Sequence, residues 1–150
     1  MAPIKRHPAL QSLSREHHHT LLLSWKIKTG LAKGVDVNRI KKYCDWYYED
    51  HLLPHFKVEE KELEKIVDNT HPLMQQMKQE HQRIITLFEH PADKNTFAEI
   101  VEVLHNHIRF EERVLFNEIQ NIATEQQLQA FADAHQDERF VENIEDEFWK

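Results

Sequence analysis

Two short motifs constrain this chain more than any other feature: His55-Phe56-Lys57-Val58-Glu59-Glu60 and His107-Ile108-Arg109-Phe110-Glu111-Glu112. Each sets a histidine four residues before a glutamate, with a second glutamate directly after. Positions i and i+4 share a helix face one turn apart, so each segment, as helix, aims one imidazole and one carboxylate at a common point. One such pair on a polar helix is an ordinary solvated face. Two in matched context call for two helices facing each other across a shared N/O cage, the arrangement by which helical bundles hold dinuclear metal centres.

The rest of the chain agrees with helices. Only two glycines occur in 150 residues, while Glu, Lys, Gln, Leu and Ile are abundant, which favours helix over sheet. A chain of this length reads as one domain, residues 1–150, able to bury a core. A net charge of -7 argues against a nucleic-acid partner, since no basic stripe is available to neutralise phosphates. No run of 18 apolar residues is present, so no membrane span is expected. The basic start, Met1 to Pro8, leads into polar sequence rather than a secretory signal. The lone Cys44 excludes an internal disulfide and points to a reducing, cytoplasmic setting. Twelve histidines are the outlier; they are dispersed, with only His17-His18-His19 in a run.

Four long helical segments can be read. The first runs from about Ser12 to Lys33, with Gly30 and Gly34 at its end. The second starts near Asp36 as N-cap and runs to about Val67; Pro54 falls inside it, so a kink is expected one turn before His55. Asp68 to Pro72 turns into a third helix that ends by His90-Pro91. The fourth begins at Asn95 or Thr96 and ends near Ile122, and Thr124 with Gln127 signals a shorter C-terminal helix. Short connections between long helices predict an up-down-up-down antiparallel four-helix bundle over about 12–122, with a C-terminal helical extension over about 124–150. Phe140, Val141, Ile144, Phe148 and Trp149 make the tail from Asp137 to Lys150 a docked amphipathic segment.

If the second and fourth segments each supply a His/Glu pair, a symmetric site needs one ligand each from the first and third. His81 has Ile84, Ile85 and Phe88 at +3, +4 and +7, which puts it on the core-facing stripe. In the first segment, His18 has Leu21, Leu22 and Trp25 at the same offsets. His17 has Thr20, Leu21 and Ser24, a poorer match, so His18 is the expected ligand and His17 the alternative. Glu60 and Glu112 read as solvent-facing or as outer groups that orient ligands, and Trp25 and Trp46 as core aromatics. Imidazole with carboxylate and no thiolate suits iron or manganese better than structural zinc. Without metal, carboxylates held in a poor dielectric should have raised pKa values.

Taken together, the histidine on the first helix, the two HxxxEE motifs and Glu80-His81 resemble the hemerythrin-like family of HHE cation-binding domains, over roughly residues 12 to 122. The resemblance implies a non-haem centre of two iron ions, oxo- or hydroxo-bridged, with His18, His55, His81 and His107 as terminal ligands and Glu59 and Glu111 as bridges. It implies a protein that binds or senses O2, nitric oxide or peroxide, with any signal passed to a protein partner. The alternative it offers is a stress-response protein that donates iron to damaged iron-sulfur clusters, degrades peroxide or stores iron; a binding protein is favoured over an enzyme. One departure stands out: Met77 lies one turn before His81, where oxygen-carrying hemerythrins have a further histidine. That puts the carrier role in doubt and leaves the di-iron expectation intact.

Overall fold

A computed structural model describes residues 5–135 and 139–150; the first four residues and the start of the tail at Asp137 lie outside the described residues. The chain is all-helical, with no strand among the described residues. After a short 3-10 turn at Pro8–Leu10 come α1 (Gln11–Ala32), α2 (Val37–Tyr47), α3 (Leu53–Leu63), α4 (Pro72–Glu89), α5 (Lys94–Phe110), α6 (Phe116–Ile122) and α7 (Glu125–Ala134).

The helix ends follow local chemistry. The carboxylates of Asp36 and Asp93 accept the backbone N–H of Asn38 and Thr96, and so cap α2 and α5. The fourth segment therefore starts one or two residues before Asn95 or Thr96, because Asp93 supplies the cap. Thr124 and Gln127 close a reciprocal capping box at α7. Gly34, at φ 70°, turns the chain out of α1, a conformation that glycine adopts without a Cβ clash.

Two π-helical turns interrupt the long runs. Tyr48–Leu52 joins α2 to α3, and Glu111–Leu115 joins α5 to α6. The first lies just upstream of Pro54, whose ring nitrogen cannot donate to the helical ladder, so the expected break is met by a widened turn. The second carries no proline and begins at Glu111 itself.

Apolar side chains form two separate clusters. One gathers Leu23, Ile27, Phe56, Ile84, Phe88 and Leu104; the other gathers Leu13, Leu63, Met74, Met77, Leu115 and Phe116. Along α1 and α4 the second cluster comes first, and along α3 and the run from α5 to α6 it comes last. Between the two clusters lie the buried polar residues His17, His55, Glu59, His81, His107 and Glu111. Helix α1 packs chiefly along α5, and α4 also lies against α5.

Residues 139–150 form no helix, so the extension is helical only over α7. The tail docks through Phe148 and Trp149, both buried, while Val141 and Ile144 face solvent. Lys26 Nζ donates to Glu142 and to the Tyr43 hydroxyl, and it also lies 4.4 Å from the Trp149 ring centre. Arg39 forks onto Asp146. Trp25, expected in the core, is 54% exposed. None of the described helices is long and apolar enough to cross a membrane.

Candidate metal centre

Six of the buried polar residues converge on one place. His17, His55, Glu59 and Glu111 form one group and Glu59, His81, His107 and Glu111 a second, each with its donor atoms within 4.8 Å of one another. The two glutamates belong to both groups. Within the helical runs, His55 Nε2 lies 3.0 Å from Glu59 Oε1, and His107 Nε2 lies 3.1 Å from Glu111 Oε1, as one-turn spacing dictates. Across helices, His17 Nε2 approaches Glu111 Oε1 at 2.9 Å and His81 Nε2 approaches Glu59 Oε1 at 3.3 Å.

The expected helix-one ligand requires a correction. His17 joins the cluster, and His18 is exposed. The buried stripe of α1 runs Leu13, His17, Thr20, Ser24 and Ile27. Its inner face thus carries small polar residues, while Leu22 and Trp25 stand in solvent, and this inverts the phase that the apolar residues suggest. The other expected residues, His55, Glu59, His81, His107 and Glu111, are all brought together. His51 lies against the rings of Trp46, Tyr47 and Phe140, and Met77 packs in the second apolar cluster.

Each inward-facing imidazole is gripped from behind by a carboxylate. His55 Nδ1 pairs with Glu16 at 2.5 Å, His81 Nδ1 with Glu60 at 2.8 Å, His107 Nδ1 with Glu80 at 2.7 Å and His17 Nδ1 with Glu112 at 2.7 Å. The pattern is cyclic. Glutamate from the first run holds histidine of the second, the second holds the third, the third the fourth, and the fourth the first. Such a hydrogen bond fixes the ring orientation and leaves Nε2 as the inward donor. The sequence signal for Glu16 and Glu80 is the matching pair of dipeptides Glu16-His17 and Glu80-His81, which identify both the outer carboxylate and the correct histidine.

The inward atoms have no hydrogen-bond partner: all four Nε2 atoms and all four oxygens of Glu59 and Glu111 are buried without one. Buried polar groups are ordinarily satisfied. These eight N and O atoms meet only one another, as close ion pairs without hydrogen-bond geometry, and a donor set with no sulfur could hold a hard or borderline metal ion. Cys44 is buried and belongs to neither group.

Burial disfavours the imidazolium of His55, but the carboxylates of Glu59 and Glu16 outweigh it and raise the ring to about 9. His17, His81 and His107 move up in the same way, against their own burial, on the strength of Glu111 and its neighbours. Burial and the Glu111 charge oppose ionisation of Glu59, yet His55 and His17 hold it at about 2, and Glu111 is pulled well down by His107, His17 and His81. The expectation of raised carboxylate pKa values is therefore overturned. The basic partners sit close enough that imidazoles take protons and the glutamates stay ionised.

Aromatic rings wall the site. Phe56 stacks on His81 at 3.9 Å and Phe116 on His17 at 5.5 Å. On the outer side of His55 lies a cavity of about 150 Å³, lined among others by Glu16, Thr20, Tyr47, His51, His135 and Phe140. No family model matches the chain, and neither a curated protein nor a solved structure does.

Proposed function

We propose that this chain is a non-haem dinuclear iron protein of hemerythrin-like architecture that binds or senses a small oxidising ligand: O2, nitric oxide or a peroxide. The observation that carries the reading is the set of eight buried N and O atoms that converge from four helical runs and satisfy no hydrogen bond. Two groups that share both carboxylates would hold two ions, His17 and His55 in one group, His81 and His107 in the other, and Glu59 and Glu111 in both. The alternation of the two apolar clusters along successive runs supports an up-down-up-down bundle around that centre.

Iron bound there would supply redox electrons and open coordination positions. The chain's own residues would do the rest: Glu16, Glu60, Glu80 and Glu112 orient the imidazoles, and Phe56 and Phe116 keep water from their faces. Met77, apolar and buried one turn before His81, contributes no imidazole, and this favours sensing or scavenging over oxygen carriage. A buried free thiol at Cys44 fits a reducing compartment. Absorption spectra of the iron-loaded protein, recorded reduced and then exposed in turn to air, nitric oxide and hydrogen peroxide, test the reading. New ligand-to-metal bands with one of them support it, and spectra unchanged by all three refute it.

A further inference from the structure

We propose that the cyclic ring of outer carboxylates, Glu16, Glu60, Glu80 and Glu112, tunes the centre electrically and makes it a site for a pair of trivalent ions. This rests on the dinuclear reading above and says which oxidation state the protein is built to hold.

The charge balance carries the inference. The two inner carboxylates and the four outer ones together bring six negative charges, at 2.5–2.8 Å from imidazole nitrogen in the outer set. Four neutral imidazoles add none. The Arg6 guanidinium beside Glu112 offsets one of the six charges, so a divalent pair leaves one negative charge uncompensated around a site whose inner glutamates are 0% exposed, whereas a trivalent pair is balanced once a single solvent-derived hydroxide joins it. The same anion beside a divalent pair leaves two negative charges, which deepens the preference. Each outer carboxylate also draws on the Nδ1–H of its histidine and makes Nε2 a stronger donor, and a stronger donor favours the more highly charged ion. An arrangement meant only to orient rings could use backbone carbonyls or amides. Here all four positions carry a full charge, and the ring closes on itself through all four helical runs.

Two members have a further partner beside them. Arg6 Nε lies 3.8 Å from Glu112, and His135 Nε2 lies 3.0 Å from Glu16. Glu60 and Glu80 are therefore the cleaner probes. A glutamine at either position keeps a carbonyl oxygen to accept from Nδ1 and removes the charge, so it separates electrical tuning from positioning.

The experiment is redox potentiometry on the iron-loaded full chain, with Glu60→Gln, Glu80→Gln, their double variant, and Glu145→Gln in the exposed tail as a control. The expected result is two irons retained in each protein and a tenfold loss of preference for the trivalent ion per ring substitution. That factor is a rise of about 59 mV for a one-electron couple; it should be roughly twice that in the double variant and absent in the control. A competition between Ga3+ and Zn2+ for the metal-free proteins gives a second reading, and the same substitutions should lower the Ga3+ preference about tenfold each. Unchanged midpoints and an unchanged Ga3+ preference in variants that still hold two ions overturn the inference and leave the dinuclear reading standing. A wild-type chain that holds fewer than two ions fails the dinuclear reading itself, a distinguishable outcome.

Discussion

Replacing His17 by alanine should damage this protein far more than replacing His18, although the two are neighbours in sequence. In the metal-free fold the His17 ring lies 2.9 Å from Glu111 Oε1 and 2.7 Å from Glu112 Oε2, and it joins a fully buried carboxylate to a half-buried one. Removing one partner of a buried ion pair costs about 3–5 kcal/mol. Glu111 keeps His107 at 3.1 Å and Glu112 keeps Ser14, so the lower end, about 3 kcal/mol, applies. For a domain of this size each kcal/mol is worth about 2–4 °C, so the melting temperature should fall by about 6–12 °C. His18 is exposed, and its removal should stay within about 0.5 kcal/mol. In the iron-loaded protein the His17 variant should also lose the ion on the His17–His55 side and retain the one beside His81 and His107. Thermal unfolding of the metal-free proteins and metal analysis of the loaded ones decide it. A damaging His18→Ala with a harmless His17→Ala would show that α1 is rotated from this description.

Metal-free stability should depend on pH from both sides. His55 is raised from 6.5 to about 9, so its contribution is fully present below 6.5 and is lost as pH rises through 9. Glu16 and Glu59 are lowered from 4.5 to about 2, so theirs is present above 4.5 and is lost as pH falls towards 2. Urea unfolding should show a plateau between these limits, and stability that climbs from pH 7 to 9 would contradict the proton-filled cluster. Because metal must displace imidazolium protons, iron affinity measured by chelator competition should strengthen over the same rise in pH. Glu59→Ala or Glu111→Ala should abolish paired binding, while Glu60→Gln or Glu112→Gln should cost at most about ten- to hundredfold in affinity; equal losses would erase the distinction between inner and outer carboxylates. Gly30→Ala should destabilise by about 1–3 kcal/mol despite its better helix propensity, because the new Cβ would stand 2.7 Å from the buried Phe148 ring. A stabilised variant would mean that the tail does not dock there.

What the sequence made legible was whatever one helical turn encodes. The HxxxEE repeats fix an imidazole and a carboxylate on one face whatever surrounds them, and His81 sits in a consistent apolar phase, so five inner residues could be read directly. The α1 ligand could not be read from apolar phase, because Thr20 and Ser24 occupy the buried stripe while Leu22 and Trp25 lie outside it. The second π-turn, which begins at Glu111, has no proline to announce it. Glu60 and Glu112 were legible as outer groups, but the histidine that each outer carboxylate grips was not. Each grips a histidine on a different helical run, and spacing within one helix carries no record of that neighbour. Tail docking was legible for Phe148 and Trp149 but not for Val141 and Ile144, since an irregular strap has no fixed period to separate its faces.

The central claim, a dinuclear centre built from His17, His55, Glu59, His81, His107 and Glu111, is tested most directly by counting metal. Iron determined by elemental analysis on protein purified after iron-replete expression, with protein quantified independently, should come to two ions per chain. A value at or below one would contradict it.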